Sequence, residues 1–473
     1  MHKLLAPAVA VVAILGGNYA NATNTPANCE TLQNELLSLS AAGGGVYQFA
    51  PRYAVICSIR GQVYMGAASD HALLVPEDVT LDLNDGHIDL RLQAQGYGIR
   101  LARRSTLKNG HVGVVYSDGA GSQGIFHSAV TVGAANHEGG TVANPSYFSN
   151  IGNWKILNLT IEQPFPRAAI AVMSEAHHGE IDHVRIVRSA AALIGISLDW
   201  GDVGNIVSAD AQIPAMRVLF DNHQVYTTHP HDITITNIEA EPILGISPGT
   251  GGEDNAVIRT SAVHNITIRG VIADEAQNGI VMRAGDLGYE FALGTVDEVK
   301  AIAHAGLVVE DFTLHNVHDK GVYLDGQADN VSRVEHDPLV PAELRYHPRL
   351  GQGSSEYPGF QTPWVRYGYA RGHFTAIAGV YLQFVKNALI EDIDSQEFGH
   401  GIRVDTGVRS STIWRSDFLH NVWGVYVGAG DPAHQTPPDD IVIADNRIYS
   451  NSNRGIRVLN GTNIIESGNQ LDP

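Results

Sequence analysis

Short runs of alternating apolar and polar residues recur along most of the chain, and they come in two kinds. One is a plain alternating strand: Asn265-Ile266-Thr267-Ile268, Leu307-Val308-Val309-Glu310, Ala388-Leu389-Ile390-Glu391, Thr412-Ile413-Trp414 and Ile441-Val442-Ile443. The other follows roughly ten to fifteen residues later and opens on glycine, then aliphatic, any, aliphatic, any. Its copies are Gly195-Ile196-Ser197-Leu198-Asp199, Gly279-Ile280-Val281-Met282-Arg283, Gly321-Val322-Tyr323-Leu324-Asp325, Gly379-Val380-Tyr381-Leu382-Gln383, Gly401-Ile402-Arg403-Val404-Asp405, Gly424-Val425-Tyr426-Val427-Gly428 and Gly455-Ile456-Arg457-Val458-Leu459. Period-two alternation puts every second side chain on one face. Strands this short bury no core alone, but stacked as coils of one solenoid they do. The pattern predicts an all-β fold, a right-handed parallel β-helix. A β-sandwich is the rival architecture; it needs regularly spaced hairpin turns, and few are present.

The N-terminal part departs from the repeat. Residues 1–22 have the make-up of a signal peptide: Lys3, the apolar run Leu4 to Leu15, then Ala20-Asn21-Ala22. The apolar run is too short to span a bilayer, and no later segment is apolar enough to do so. Cys29 to Ala42 carries Leu32, Leu36, Leu37 and Leu39 at helical spacing, and Gly43-Gly44-Gly45 stops it. The expected organisation is one domain over 23–473, opened by a helix that caps the solenoid end. The proline-rich stretch 331–372 has no rung pattern and is expected as a long inserted loop. Cys29 and Cys57 are the two cysteines of the chain. In an exported protein they suit a disulfide; two buried thiols are the alternative.

Charge narrows the partners. The 473 residues carry a formal net charge of -20, which argues against a nucleic-acid backbone or an anionic membrane surface. An anionic sugar polymer remains compatible, provided the binding face has its own cations or a calcium bridge.

Equivalent positions of a β-helix stack roughly 4.8 Å apart, so outward residues read as columns. One column holds Asn278, Lys320, His400 and Trp423; the next holds Tyr323, Tyr381, Arg403, Tyr426 and Arg457; a third holds Arg283, Asp325, Gln383 and Asp405. Tyrosine faces stack on pyranose rings, arginines pair with carboxylates, and carboxylates, histidine or lysine move protons. The expected catalytic set is Lys320, Tyr323, Asp325, His400, Arg403 and Asp405. Substrate contacts are expected from Arg283, Tyr381, Tyr426 and Arg457. Arg345, Trp364, Arg366 and Tyr367 of the loop are expected to join them, closing over the same face as a lid. The plainer account is that outward residues meet water, aspartates cap turns and the loop packs or meets another copy.

The order of helix, glycine stop, strand and Val75-Pro76-Glu77-Asp78-Val79-Thr80-Leu81-Asp82 resembles the capped start of pectin-lyase-like β-helix proteins, and the repeat that follows fits them. That superfamily includes polysaccharide lyases, uronate epimerases, polygalacturonase-type hydrolases and phage tailspikes. Phe398-Gly399-His400-Gly401-Ile402 is similar to the G-H-G motif of polygalacturonases, and Gly455-Ile456-Arg457-Val458 to their R-I-K. The paired aspartates of that family are not at the matching place; Asp439-Asp440 comes later in the chain. Ile402-Arg403-Val404-Asp405 resembles the pectate-lyase strand that bears calcium-ligand aspartates; Asp325 and Asp405 are expected either to orient the base or to hold Ca²⁺. His229-Pro230-His231-Asp232 is similar to the D-P-H-D motif of mannuronan epimerases, with His229 in place of the first aspartate.

The resemblance implies an exported enzyme, periplasmic or secreted, acting on a uronic-acid polysaccharide by β-elimination or C5 epimerisation. The alternatives are a glycoside hydrolase using Asp325 and Asp405, and a non-catalytic glycan-binding protein.

Overall fold

The computed structural model describes residues 23–58, 71–92, 97–116, 128–133, 151–162, 168–173, 176–187, 194–199, 229–243, 255–261, 263–285, 304–328, 360–373, 375–429 and 437–471. The expected signal peptide lies outside the described residues.

Among the described residues the elements are strands apart from one helix, and every pairing between them is parallel. Each coil visits three sheets in turn. The strand Leu307–Ala328 runs through all three in one stretch. Its 308–310 part pairs with 267–269 on one side and 364–366 on the other. Its 312–314 part pairs with 271–273 and 368–370. Its 320–325 part pairs with 278–283 and 378–383. Repeated along the chain, this is a right-handed parallel β-helix, in which the twist of each strand sets the hand of the crossover.

The first sheet has sharply defined corners. Coil after coil enters it through a residue in the left-handed conformation and leaves through another five positions on: Asn153 and Asn158, His178 and His183, Asp232 and Asn237, Asn265 and Gly270, Thr362 and Tyr367, Asn387 and Asp392, Ser410 and Arg415, Asp440 and Asp445. Asparagine, aspartate and glycine tolerate that conformation best. Between the corners two side chains point inward, as Ile266 and Ile268 do, and two point outward.

The inward aliphatic residues of all three sheets form one continuous core. At its start the helix Cys29–Ala41 lays Leu32 and Leu36 on the first coil, and the Asn28 side chain caps it by accepting from Thr31 N at 2.9 Å. Gln33 bonds both backbone groups of Leu74, donating to its carbonyl at 3.1 Å and accepting from its amide at 2.7 Å. It thereby takes the place of a neighbouring strand at an open edge. Cys29 and Cys57 form a disulfide that ties this helix to the strand Ala54–Ser58.

One expectation needs correction. Phe360–Gln361 and Trp364–Gly372 are strands within the stack, not parts of a loop. Pro363 stands just before the longer strand, where proline is tolerated, and its carbonyl accepts from Leu389 N at 3.0 Å. Residues 329–359 lie outside the described residues.

Candidate functional site

The third sheet carries the outward columns. Asn278, Lys320, Ala378, His400 and Trp423 follow one another in register. Val281, Tyr323, Tyr381, Arg403, Tyr426 and Arg457 form the second column, and Arg283, Asp325 and Gln383 the third. The glycines that open these strands, Gly401 of the G-H-G tripeptide among them, have a local cause. A Cβ on Gly401 would meet the carbonyl oxygen of Gly424 at 2.6 Å.

The stripe divides into a closed part and an open part. Arg100, Thr131, Ser197, Val281, Tyr323 and Tyr381 are buried although they point away from the core. From the His400–Val404 coil onward, His400, Arg403, Trp423 and Tyr426 are partly exposed and Arg457 is exposed.

In the closed part, Tyr323 and Tyr381 stack at 5.0 Å, and the Lys320 ammonium sits 4.6 Å from the Tyr323 ring centre. Lys320 donates to Asp319 at 3.0 Å, and Tyr323 donates to Gln383 at 2.8 Å. Asp325 lies 3.7 Å from Arg283. Asp405 receives four hydrogen bonds: from Tyr381 at 2.7 Å, Arg403 at 2.6 Å, Thr406 N at 2.8 Å and Thr406 Oγ1 at 3.1 Å. Burial, with the neighbouring Asp405 charge, pushes the Tyr381 hydroxyl well above its ordinary range, so it stays protonated.

In the open part, the Tyr426 ring is a hub. His400 packs against it at 4.9 Å, and the guanidinium groups of Arg403 and Arg457 each lie 5.6 Å from its centre. Arg457 also sits 4.8 Å from Trp423, and Arg403 sits 4.9 Å from Tyr381. His400 Nδ1 lies 3.1 Å from the Ile377 carbonyl, so that nitrogen carries the proton and the lone pair belongs to Nε2. Burial lowers the His400 pKa; the Ile377 carbonyl partly opposes this, and Arg403 and Arg457 add to it. The imidazole is therefore neutral at neutral pH.

Asp325 and Asp405 do not make a calcium site. They stand two coils apart with Gln383 between them, Arg283 and Arg403 are beside them, and the Asp405 oxygens are taken by donors. Among the described residues no group of three or more histidine, cysteine or acidic side chains is placed to hold a metal.

Ten of the expected site residues thus share the third sheet. Trp364, Arg366 and Tyr367 do not: they belong to the first sheet, so they form no lid over the stripe. Arg345 lies outside the described residues. Asp319 and the Ile377 carbonyl went unseen in the sequence; an acidic residue beside Lys320 was the one available signal. In His229-Pro230-His231-Asp232, Asp232 occupies a left-handed corner, and His177, His231 and His264 follow one another on successive coils, the first pair edge to face and the second stacked. Burial lowers the His231 pKa to about 4 and that of wholly buried His229 to about 3.

A capped, right-handed parallel β-helix with a cationic and aromatic stripe along one sheet is the class these observations define. Solved structures of a tailspike share that fold. The tailspike protein of E. coli bacteriophage HK620, in a doubly substituted form in complex with a pentasaccharide, is 10% identical, with a TM-score of 0.56 over 94% of this chain and 76% of that one. A singly substituted form, also with pentasaccharide, is 12% identical with a TM-score of 0.54 over the same 94% and 76%. The periplasmic alginate epimerase AlgG is 12% identical with a TM-score of 0.43, over 94% of this chain and 84% of that one. No protein-family model matches the chain, and no curated protein matches it in sequence.

Proposed function

We propose that the protein is an exported enzyme that removes the C5 proton of a uronic-acid residue in a polysaccharide. One observation carries this: a neutral imidazole, His400, and the guanidinium groups of Arg403 and Arg457 gather around the Tyr426 ring at the open end of an aromatic stripe. The proton beside a carboxylate becomes removable when the carboxylate's charge is offset and a base is in reach. Arg403 and Arg457 supply the positive charge, and Tyr426 with Trp423 supplies ring faces for the sugar. His400 Nε2 takes the proton. Lys320 and Tyr323, both buried and engaged with Asp319 and Gln383, support the stripe from behind.

Two outcomes follow from the same carbanion. In β-elimination its electron pair forms the C4–C5 double bond, the C4–O4 bond breaks, and the imidazolium returns the proton to O4. In epimerisation a proton is delivered to the opposite face of C5. Elimination needs a single group beside the sugar, which is what the open part of the stripe offers, so it is the first to test.

Hydrolysis is the second reading, favoured by one spacing. Two coils place Asp325 and Asp405 roughly 9–10 Å apart, at the upper limit for an inverting pair. Against it, every hydrogen bond to Asp405 is donated to it, which suits a residue that fixes Arg403 and Tyr381 in place.

The test is absorbance at about 230–240 nm, where C4–C5 unsaturated uronates absorb, during incubation with a panel of polyuronates, with and without calcium. A rise that is lost in His400→Ala supports the lyase. New reducing ends without absorbance would replace it with the hydrolase.

A further inference from the structure

We infer that the outward face of the first sheet is a second glycan-binding surface, one that takes an uncharged pyranose chain. It is independent of the chemistry at His400 and lies on a different sheet.

The observation is a change of composition along one column. Its early members are Thr106, Lys155, Glu180, Thr234 and Thr267. From the next coil it becomes Val308, Trp364 and Leu389, then Thr412, Val442 and Ile465. Trp364 is 37% exposed and Tyr367, beside it at the corner, is 48% exposed. Neither ring contributes to the core, which lies on the other side of the strand.

Tyr367 is also held in the left-handed conformation, φ 54°, where other coils place Asn158, Asn237, Gly270, Asp392, His183 or Arg415 and none of them an aromatic ring of this size. A bulky aromatic residue there is uncommon. Strain retained at an exposed aromatic residue points to a use for the ring.

The rings are braced. The Arg366 guanidinium lies 4.1 Å from the Trp364 ring and 5.2 Å from Tyr367, and it is anchored by Glu310 at 2.7 Å. Two coils on, Arg415 lies 3.8 Å from Trp414 and donates to Asp392 at 2.9 Å. Trp414 Nε1 donates to Asp445 at 3.0 Å. Platforms two coils apart are separated by roughly 10 Å along the axis, close to the length of two linked pyranoses.

The charge selects the ligand. Arg269, Arg366 and Arg415 are each bonded to carboxylates of the cluster, and Glu310, Asp311, Glu391, Asp392 and Asp445 outnumber them. The surface has no cation in excess and repels a polyanion. Neutral sugars suit it: their C–H faces stack on the rings, and their hydroxyls donate to the carboxylates.

Calorimetric titration with cellohexaose, with polymannuronate as the charged control, tests this. The expected result is saturable binding of cellohexaose that falls at least tenfold in Trp364→Ala and in Tyr367→Asn, with no binding of polymannuronate at this face. Asparagine suits the left-handed corner, so Tyr367→Asn keeps the fold, and a circular dichroism melt verifies it. Both variants leave any uronate activity at His400 intact. Absence of cellohexaose binding, binding unchanged in both variants, or loss of polymannuronate binding in them would each overturn the assignment.

Discussion

At the scale of single residues, His400 has the sharpest consequences. Its pKa is lowered in the folded protein, so the base form persists below the ordinary histidine value of about 6.5. The rate on a polyuronate should fall on acidification with a midpoint below that value, as a pH profile of kcat/KM would show. His400→Ala should lower kcat by roughly 10²–10⁴-fold, the usual range for a general base. Asp405 acts through Arg403. Asp405→Asn keeps an acceptor for Thr406 at Oδ1 but puts an amide nitrogen where Oδ2 accepts from both Tyr381 and Arg403, which frees the guanidinium, so KM should rise more than kcat falls. Arg403→Lys should resemble it, because an ammonium cannot bond Asp405 and meet a substrate carboxylate with the same fork. An unchanged KM in both variants would remove Arg403 from substrate binding.

At the scale of the strand, the repeat made the third sheet readable and left the first half-hidden. A glycine followed by two inward aliphatic residues marks each third-sheet strand, and from that phase the order Tyr323, Tyr381, Arg403, Tyr426, Arg457 follows without a structure. The first sheet is marked instead by two left-handed corners five residues apart. In the coil that begins at Thr362 those corners are threonine and tyrosine, and a proline comes between them. None of these looks like a corner in sequence, which is why the stretch 331–372 reads as a loop although its part Trp364–Gly372 is a strand of the stack with its aromatic residues on another face. The glycine of the third sheet has its own test. A Cβ on Gly195 would meet the Val257 carbonyl at 2.5 Å, with Ile186 and Ile243 close by. Gly195→Ala should destabilise the protein by about 1–3 kcal/mol, read as a lower denaturation midpoint. Its distance from His400 should leave the activity of the remaining folded protein unchanged.

At the scale of the molecule, histidines set the tolerance to acid. His177, His229 and His231 all have lowered pKa values in the folded state, mainly through burial, with His178, Asp232 and the other rings around them. Unfolding restores the ordinary affinity for protons, so between these values the unfolded chain binds more of them. Their contribution is intact above about pH 6.5 and is lost as pH falls toward about 4 for His231 and about 3 for His229. Melting temperature should decline over that interval, and His231→Gln should flatten the decline. A melting temperature constant from pH 6.5 to pH 4 would show that these rings are not the acid-sensitive element. The overall charge of -20 adds a second whole-molecule effect. Under the proposed function a polyuronate would bind a local cationic stripe in a repelling field, so the on-rate should rise with moderate salt before screening weakens the contacts themselves.

Coils are also separable units of the chain. The one that supplies Tyr381 and Gln383 stands between the coil of Asp325 and the coil of Asp405, and its backbone pairs in the same register on both sides. Excision of residues 364–388 would let Pro363 lead directly into Leu389, since Trp364 and Leu389 already occupy equivalent places. Asp325 would then neighbour Asp405 at roughly 5 Å, the spacing of a retaining glycosidase pair. Tyr323 would come to lie against Arg403. In such a fold a lineage can pass between chemistries by gaining or losing a single turn, with no change to any residue that remains.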